Sequence, residues 1–215
     1  MSFLNQLKTQ VKALQSQKLE EDSLLEQRAA ATEKGAQFML PYLQDLARQL
    51  NVLQPPAPDF TLDGKTPWPA MKLVDFRVDA RRKRHRDREV IDFVAMGWRV
   101  VPQIGEPVGG MVSVNFPTDM QRVESRLNMG PVKHERKEVR HPEKNTLLAV
   151  RYEYLTETRG SVVGSCDHDA GQVHFRLLNT GGFEVATLSW PAVRIGHESM
   201  DELAKRIVGQ PSRFA

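Results

Sequence analysis

The apolar positions of the first 53 residues recur every three or four places. Leu4, Leu7, Val11 and Leu14 are spaced as the a and d positions of a heptad, the pattern with which one helix lays an apolar seam against another. Continued by the same count, the seam meets Lys18 and Glu21 and fails after two heptads. A second apolar face follows at Leu40, Leu43, Ala47 and Leu50. Residues 1–34 contain neither Gly nor Pro and are rich in Leu, Gln, Lys, Glu and Ala, all good helix formers. Ser23-Leu24-Leu25-Glu26 has the form of a capping box, in which Ser and Glu satisfy each other's free backbone N–H groups at a helix start. The pattern predicts two or more helices over residues 3–52, broken near Asp22 and arranged as a hairpin hinged around Gly35 or as a short coiled coil.

From residue 71 the period changes. Val74, Phe76, Val78 and Ala80 alternate with Asp75, Arg77, Asp79 and Arg81, the period-2 pattern of a half-buried strand. Residues 90–101 read as a longer, more buried strand, although Val90, Ile91, Phe93, Val94, Gly97 and Trp98 also fit helical spacing. Further strands are expected at 112–116, 132–140, 147–157, 173–178 and 183–190, the last two joined as a hairpin by Asn179-Thr180-Gly181-Gly182. Thr118 to Gln121 and Ser199 to Glu202 have capping-box form and open two helices. Gly130-Pro131 closes the first; Gly209 and Pro211 close the second. Strands joined by short turns pair antiparallel, so the fold class is α+β: a helical N-terminal segment, then a mainly antiparallel sheet with two helices.

Composition sharpens the boundaries. Residues 71–116 hold eleven Val and Ile, against two in the first 53, so the core-forming residues switch type where the period does. Between them, five prolines fall within residues 54–69, where no helix can continue. The chain divides into a helical segment at 1–53, suited to oligomerisation, a Pro-rich linker at 54–70, and an α+β domain at 71–215. Phe60, Leu62 and Trp68 predict that the linker packs on something. A chain of 215 residues buries enough surface to need no disulfide or metal, and its single cysteine forbids an internal disulfide. No apolar run is long enough for a membrane span and no signal-peptide core is present, so a cytoplasmic protein is expected.

The net charge of +3 is misleading. Arg81, Arg82, Lys83, Arg84, Arg86 and Arg88, with one intervening acid, Asp87, give a local +5; the remainder of the chain sums to −2. This octapeptide is expected at the tip of a β-hairpin, either as a finger for phosphate or an acidic partner or as a solvated tip. Affinity for nucleic acid scales with the number of phosphates neutralised, and a focal patch without aromatics supplies little. Nucleic acid is therefore the second reading.

Catalytic and cofactor motifs fail on inspection. Asp63-Gly64-Lys65-Thr66 resembles the end of a P-loop, but position 59 is Asp where the motif needs Gly, and prolines precede it. A turn is expected there. Gly105, Gly109 and Gly110 lack dinucleotide-binding spacing. His134-Glu135 lacks the second His of a zinc-protease helix, and the highly charged stretch 133–141 suits an edge strand. Cys166, His168 and His174 are the densest cluster of ligand-type side chains, yet Asp167, Asp169 and Gly171 around them spell a turn. No cofactor, metal or catalytic residue is predicted. The leading expectation is a non-catalytic interaction protein, self-associating or binding another protein through Leu4, Leu7, Val11 and Leu14. The basic tip is the alternative, and an enzyme with an unrecognised site the third.

Overall fold

The computed structural model describes residues 3–214, apart from the side chains of Leu4 and Gln6. In chain order, helix α1 (Phe3–Leu53) is followed by strands β1 (Met71–His85), β2 (Arg88–Pro102) and β3 (Gly109–Val114). Helix α2 (Pro117–Met129) precedes β4 (His134–Arg140), β5 (Leu147–Leu155), β6 (Thr158–Asp167), β7 (Gln172–Leu178) and β8 (Val185–Pro191). Helix α3 (His197–Ile207) comes last. The larger sheet has the order β1-β2-β6-β7-β8 and the smaller β3-β5-β4; every neighbouring pair is antiparallel. The α+β class follows, and residues 90–101 are strand.

The N-terminal 51 residues form one helix, not a hairpin. Ser23 and Glu26 lie within it and cap nothing, since no break occurs near Asp22. Gly35 is not a hinge. A Cβ there would stand 3.1 Å from the Ala192 carbonyl oxygen, a tight contact, so the glycine gives room to the short helical turn at Ala192–Arg194 that packs on α1 at that point. Pro41 is exposed, and the carbonyl it leaves without a helical partner is on the side open to water.

The two halves of α1 have different surroundings. Every described side chain from Phe3 to Leu24 is exposed. Farther on, Thr32, Ala36, Met39, Leu43, Ala47 and Leu50 are buried at spacings of three and four, one complete stripe. It packs on the inward face of the larger sheet, in the same apolar cluster as Val94, Met96, Val162 and Phe175. Met200, Leu203 and Ile207 of α3 belong to that cluster too. The end of α1 is tied to β1 at a bulge: the Asn51 side chain accepts from the Phe76 N–H (2.7 Å) and donates to its carbonyl (2.9 Å). Residue 53 ends a helix, but the core runs across it.

Residues 54–70 pack as the sequence predicted. Phe60, Leu62 and Trp68 are buried, and the Trp68 ring stacks at 5.7 Å on Tyr154 of β5. Residues 63–66 form the expected turn around Asp63. Its carboxylate accepts from the Lys65 and Thr66 N–H groups (2.8 and 2.7 Å) and from the Thr66 hydroxyl (2.9 Å). Partial burial works against that charge, yet these donors, with the Thr61 hydroxyl, hold the carboxyl down to about 2.

The two later helices begin earlier than their capping boxes suggested. In α2 Pro117 takes the first turn, where a missing N–H costs nothing. In α3 Gly196 is the cap, and the Ser199 hydroxyl reaches back to accept its N–H at 2.9 Å. Strand β4 is an edge, as its charges implied.

Candidate protein-interaction surface

The part of α1 that leaves the body is about 33 Å long, at 1.5 Å per residue over residues 3–24. Its apolar residues remain uncovered: Phe3 is 73% exposed, Leu7 41%, Val11 51% and Leu14 66%. Leu4, the first position of the expected seam, lies outside the described side chains. At about 100° per residue, Leu7, Val11 and Leu14 point to the same side of the helix as Met39, Leu43 and Leu50. The seam and the core stripe are thus one angular sector, covered by the sheet in the second half and by nothing in the first. Most helix stability in proteins comes from packing of an apolar face, and a projecting apolar stripe has the character of a contact surface.

The basic octapeptide lies at the predicted place, the tip of the β1–β2 hairpin with Arg86 and Asp87 in the turn. Its electrostatics differ from the expectation of a free cationic finger. All six cations stand within 4.0 Å of a carboxylate. Arg81 and Lys83 share Asp92, Arg82 meets Glu89, and Arg84 meets Asp87. Arg86 pairs with Asp169 at 3.3 Å and Arg88 with Glu26 of α1 at 3.1 Å. Asp92 shows the effect: hydrogen bonds from Lys83 and then Arg81 hold it below the usual carboxylate range. Six cations thus face five carboxylates, and the local +5 of the sequence falls to about +1 in space. A groove of about 630 Å³ between the tip and α1 carries both signs, with Glu26 and Glu33 on the helix and Arg82 and Arg88 opposite.

The cluster at Cys166, His168 and His174 does not converge. Cys166 and His168 are buried, whereas His174 is exposed on the other side of the sheet, 2.6 Å from the Ser189 hydroxyl. Burial, then the nearby Glu33 charge, pushes the Cys166 thiol up to about 12, far from a nucleophile's range. The His168 ring works structurally. Its Nε2 lies 2.9 Å from the Ile91 carbonyl and therefore donates to it; its Nδ1 lies 3.4 Å from the Ala29 carbonyl. That ring joins the β6–β7 turn to β2 and α1, a role with no sequence motif because both partners are backbone. Beside it, Glu33 accepts the Ile91 N–H at 2.9 Å. Among the described residues, no group of three His, Cys, Asp or Glu is placed to hold a metal ion. Nor is any helix among them long and apolar enough to cross a membrane.

Comparison with protein-family models, with curated protein sequences and with solved structures finds no match to this chain.

Proposed function

We propose that the protein is a helix-mediated interaction protein that self-associates through the projecting half of α1. The observation that carries this reading is the uncovered stripe of Leu7, Val11 and Leu14 on a helix whose same face is buried farther along. Helix association buries such a stripe and supplies the packing from which most helix stability comes. The pairing of all six tip cations within the fold favours this reading over a phosphate-binding finger. The inward, high-pKa Cys166 and the backbone-bound His168 weigh against catalysis at the one cluster that invited it.

Light scattering tests the proposal. The wild type should have a mass above that of one chain. Leu7→Asp with Val11→Asp should return it to a monomer that still melts cooperatively, since both positions are exposed in the single chain. A monomeric wild type refutes the reading, and so does an oligomer that the two substitutions leave intact.

A further inference from the structure

The charges along the projecting helix are sorted by position. Residues 1–18 carry Lys8, Lys12 and Lys18 and no acid; residues 20–26 carry Glu20, Glu21, Asp22 and Glu26 and no base. A helix with one positive and one negative half complements its own copy when the copy is reversed. The seam adds a second constraint. In a parallel, in-register pair, equal positions face each other, which places Lys18 against Lys18 and Glu21 against Glu21 inside the seam. An antiparallel pair sets a positions against d positions, so neither residue meets its twin.

The extent of the free helix fixes the register. Centring two copies on the exposed stretch 3–24 makes facing positions add to about 27, at 1.5 Å per residue. The a-to-d alignment nearest this value adds to 25, with Val11 facing Leu14 and Leu7 facing Lys18. The alignment one heptad farther would carry Phe3 of one copy alongside Ala29 of the other, where α1 has begun to dock on its own body. In the nearer alignment Lys18 can lay its four-carbon stem over Leu7 and keep its ammonium in water.

We propose that two copies of the chain pair antiparallel along residues 3–24 of α1, with Val11 of each facing Leu14 of the other and the lysine-bearing half of each helix alongside the acidic half of its copy. The inference rests on the reading of the seam as a self-association surface. Its contact is isologous and closes at two chains, with the sheet bodies at opposite ends of the helix pair.

Single-cysteine probes on the full chain decide the arrangement. The native Cys166 is buried, with its thiol pushed up to about 12, and does not compete. Leu7→Cys and Lys18→Cys are made separately, each at an exposed position, and oxidised alone and mixed. The expected result is a disulfide-linked dimer in the mixture and its loss in either variant alone. Disulfides within the single variants would show parallel pairing and overturn the proposal. A dimer by light scattering that links in none of the three samples would overturn it as well. A monomer by light scattering would instead remove the self-association reading beneath it, so the two failures are told apart.

Discussion

Truncation separates the two halves of α1 most sharply. Removing residues 1–24 takes away side chains that are exposed in the single chain, so a chain of 25–215 should melt within about 1 kcal/mol of the monomeric Leu7→Asp, Val11→Asp protein. Removing residues 1–53 is different. Met39, Leu43 and Leu50 are 0–4% exposed, and Ala36 and Ala47 0–5%. At about 1.5–3 kcal/mol for each large side chain and about 0.8 for each methyl, their burial is worth roughly 6–11 kcal/mol. Total stability for a domain is about 5–15 kcal/mol, so this loss alone approaches all of it. The deletion also frees polar groups in the sheet: the Ile91 N–H loses Glu33, and the Phe76 N–H and carbonyl lose Asn51. The chain 54–215 should therefore lack a cooperative transition in calorimetry and bind a dye that reports exposed apolar surface. The division of the chain at residue 53 that the sequence pattern suggests implies the opposite, a C-terminal part that folds by itself. A cooperative melt of 54–215 near the full-length temperature would refute the argument and show that α1 is an appendage throughout.

Three further outcomes follow from the structure. Replacing Arg82, Arg84, Arg86 and Arg88 by Ser should lower stability by no more than about 4 kcal/mol, because each of the four pairs is largely exposed and such pairs contribute about 0–1 kcal/mol apiece; a larger loss in denaturant unfolding would show that the tip contributes more than exposed ion pairs do. Fluorescence titration with duplex DNA should give a log–log salt slope no steeper than about −2, since the cations are already paired; a slope of about −3 or more, at −0.9 per phosphate, would restore the free finger. Asp63→Ala should cost about 1–2 kcal/mol at neutral pH. The folded pKa of about 2 lies below the ordinary 3.8, so the contribution of Asp63 is present above the unfolded value and disappears as pH falls through about 2. Denaturation of wild type and variant from pH 7 downward should show their difference closing over that interval, and a constant difference would contradict it.

What was legible in the sequence is what depends on near neighbours. Alternation at Val74–Arg81 placed β1, the charges of 133–141 marked an edge strand, and Asp63-Gly64 marked a turn. The misreadings are contacts between distant residues. Gly35 looked like a hinge because glycine lowers helix propensity, while its actual constraint is the Ala192 carbonyl, far along the chain. The octapeptide looked unbalanced because Arg88 finds Glu26 across 62 positions and Arg86 finds Asp169 across 83. His168 was weighed as a ligand because its partners are main-chain carbonyls, which every residue carries and no motif announces. The stripe at Leu7, Val11 and Leu14 was legible as a seam, though its alignment with the buried stripe required a helix unbroken through Asp22 and Gly35.

That unbroken helix imposes a rule on chain length. One added residue between Leu14 and Thr32 would turn the projecting stripe by about 100° relative to the sheet, and two would turn it by about 200°, away from the body's side altogether. Seven added residues would miss the original direction by only about 20°, and eleven by a similar amount in the opposite sense. Natural variation in this stretch should therefore come in steps of seven or eleven, because intermediate lengths leave both surfaces intact but aim one of them elsewhere.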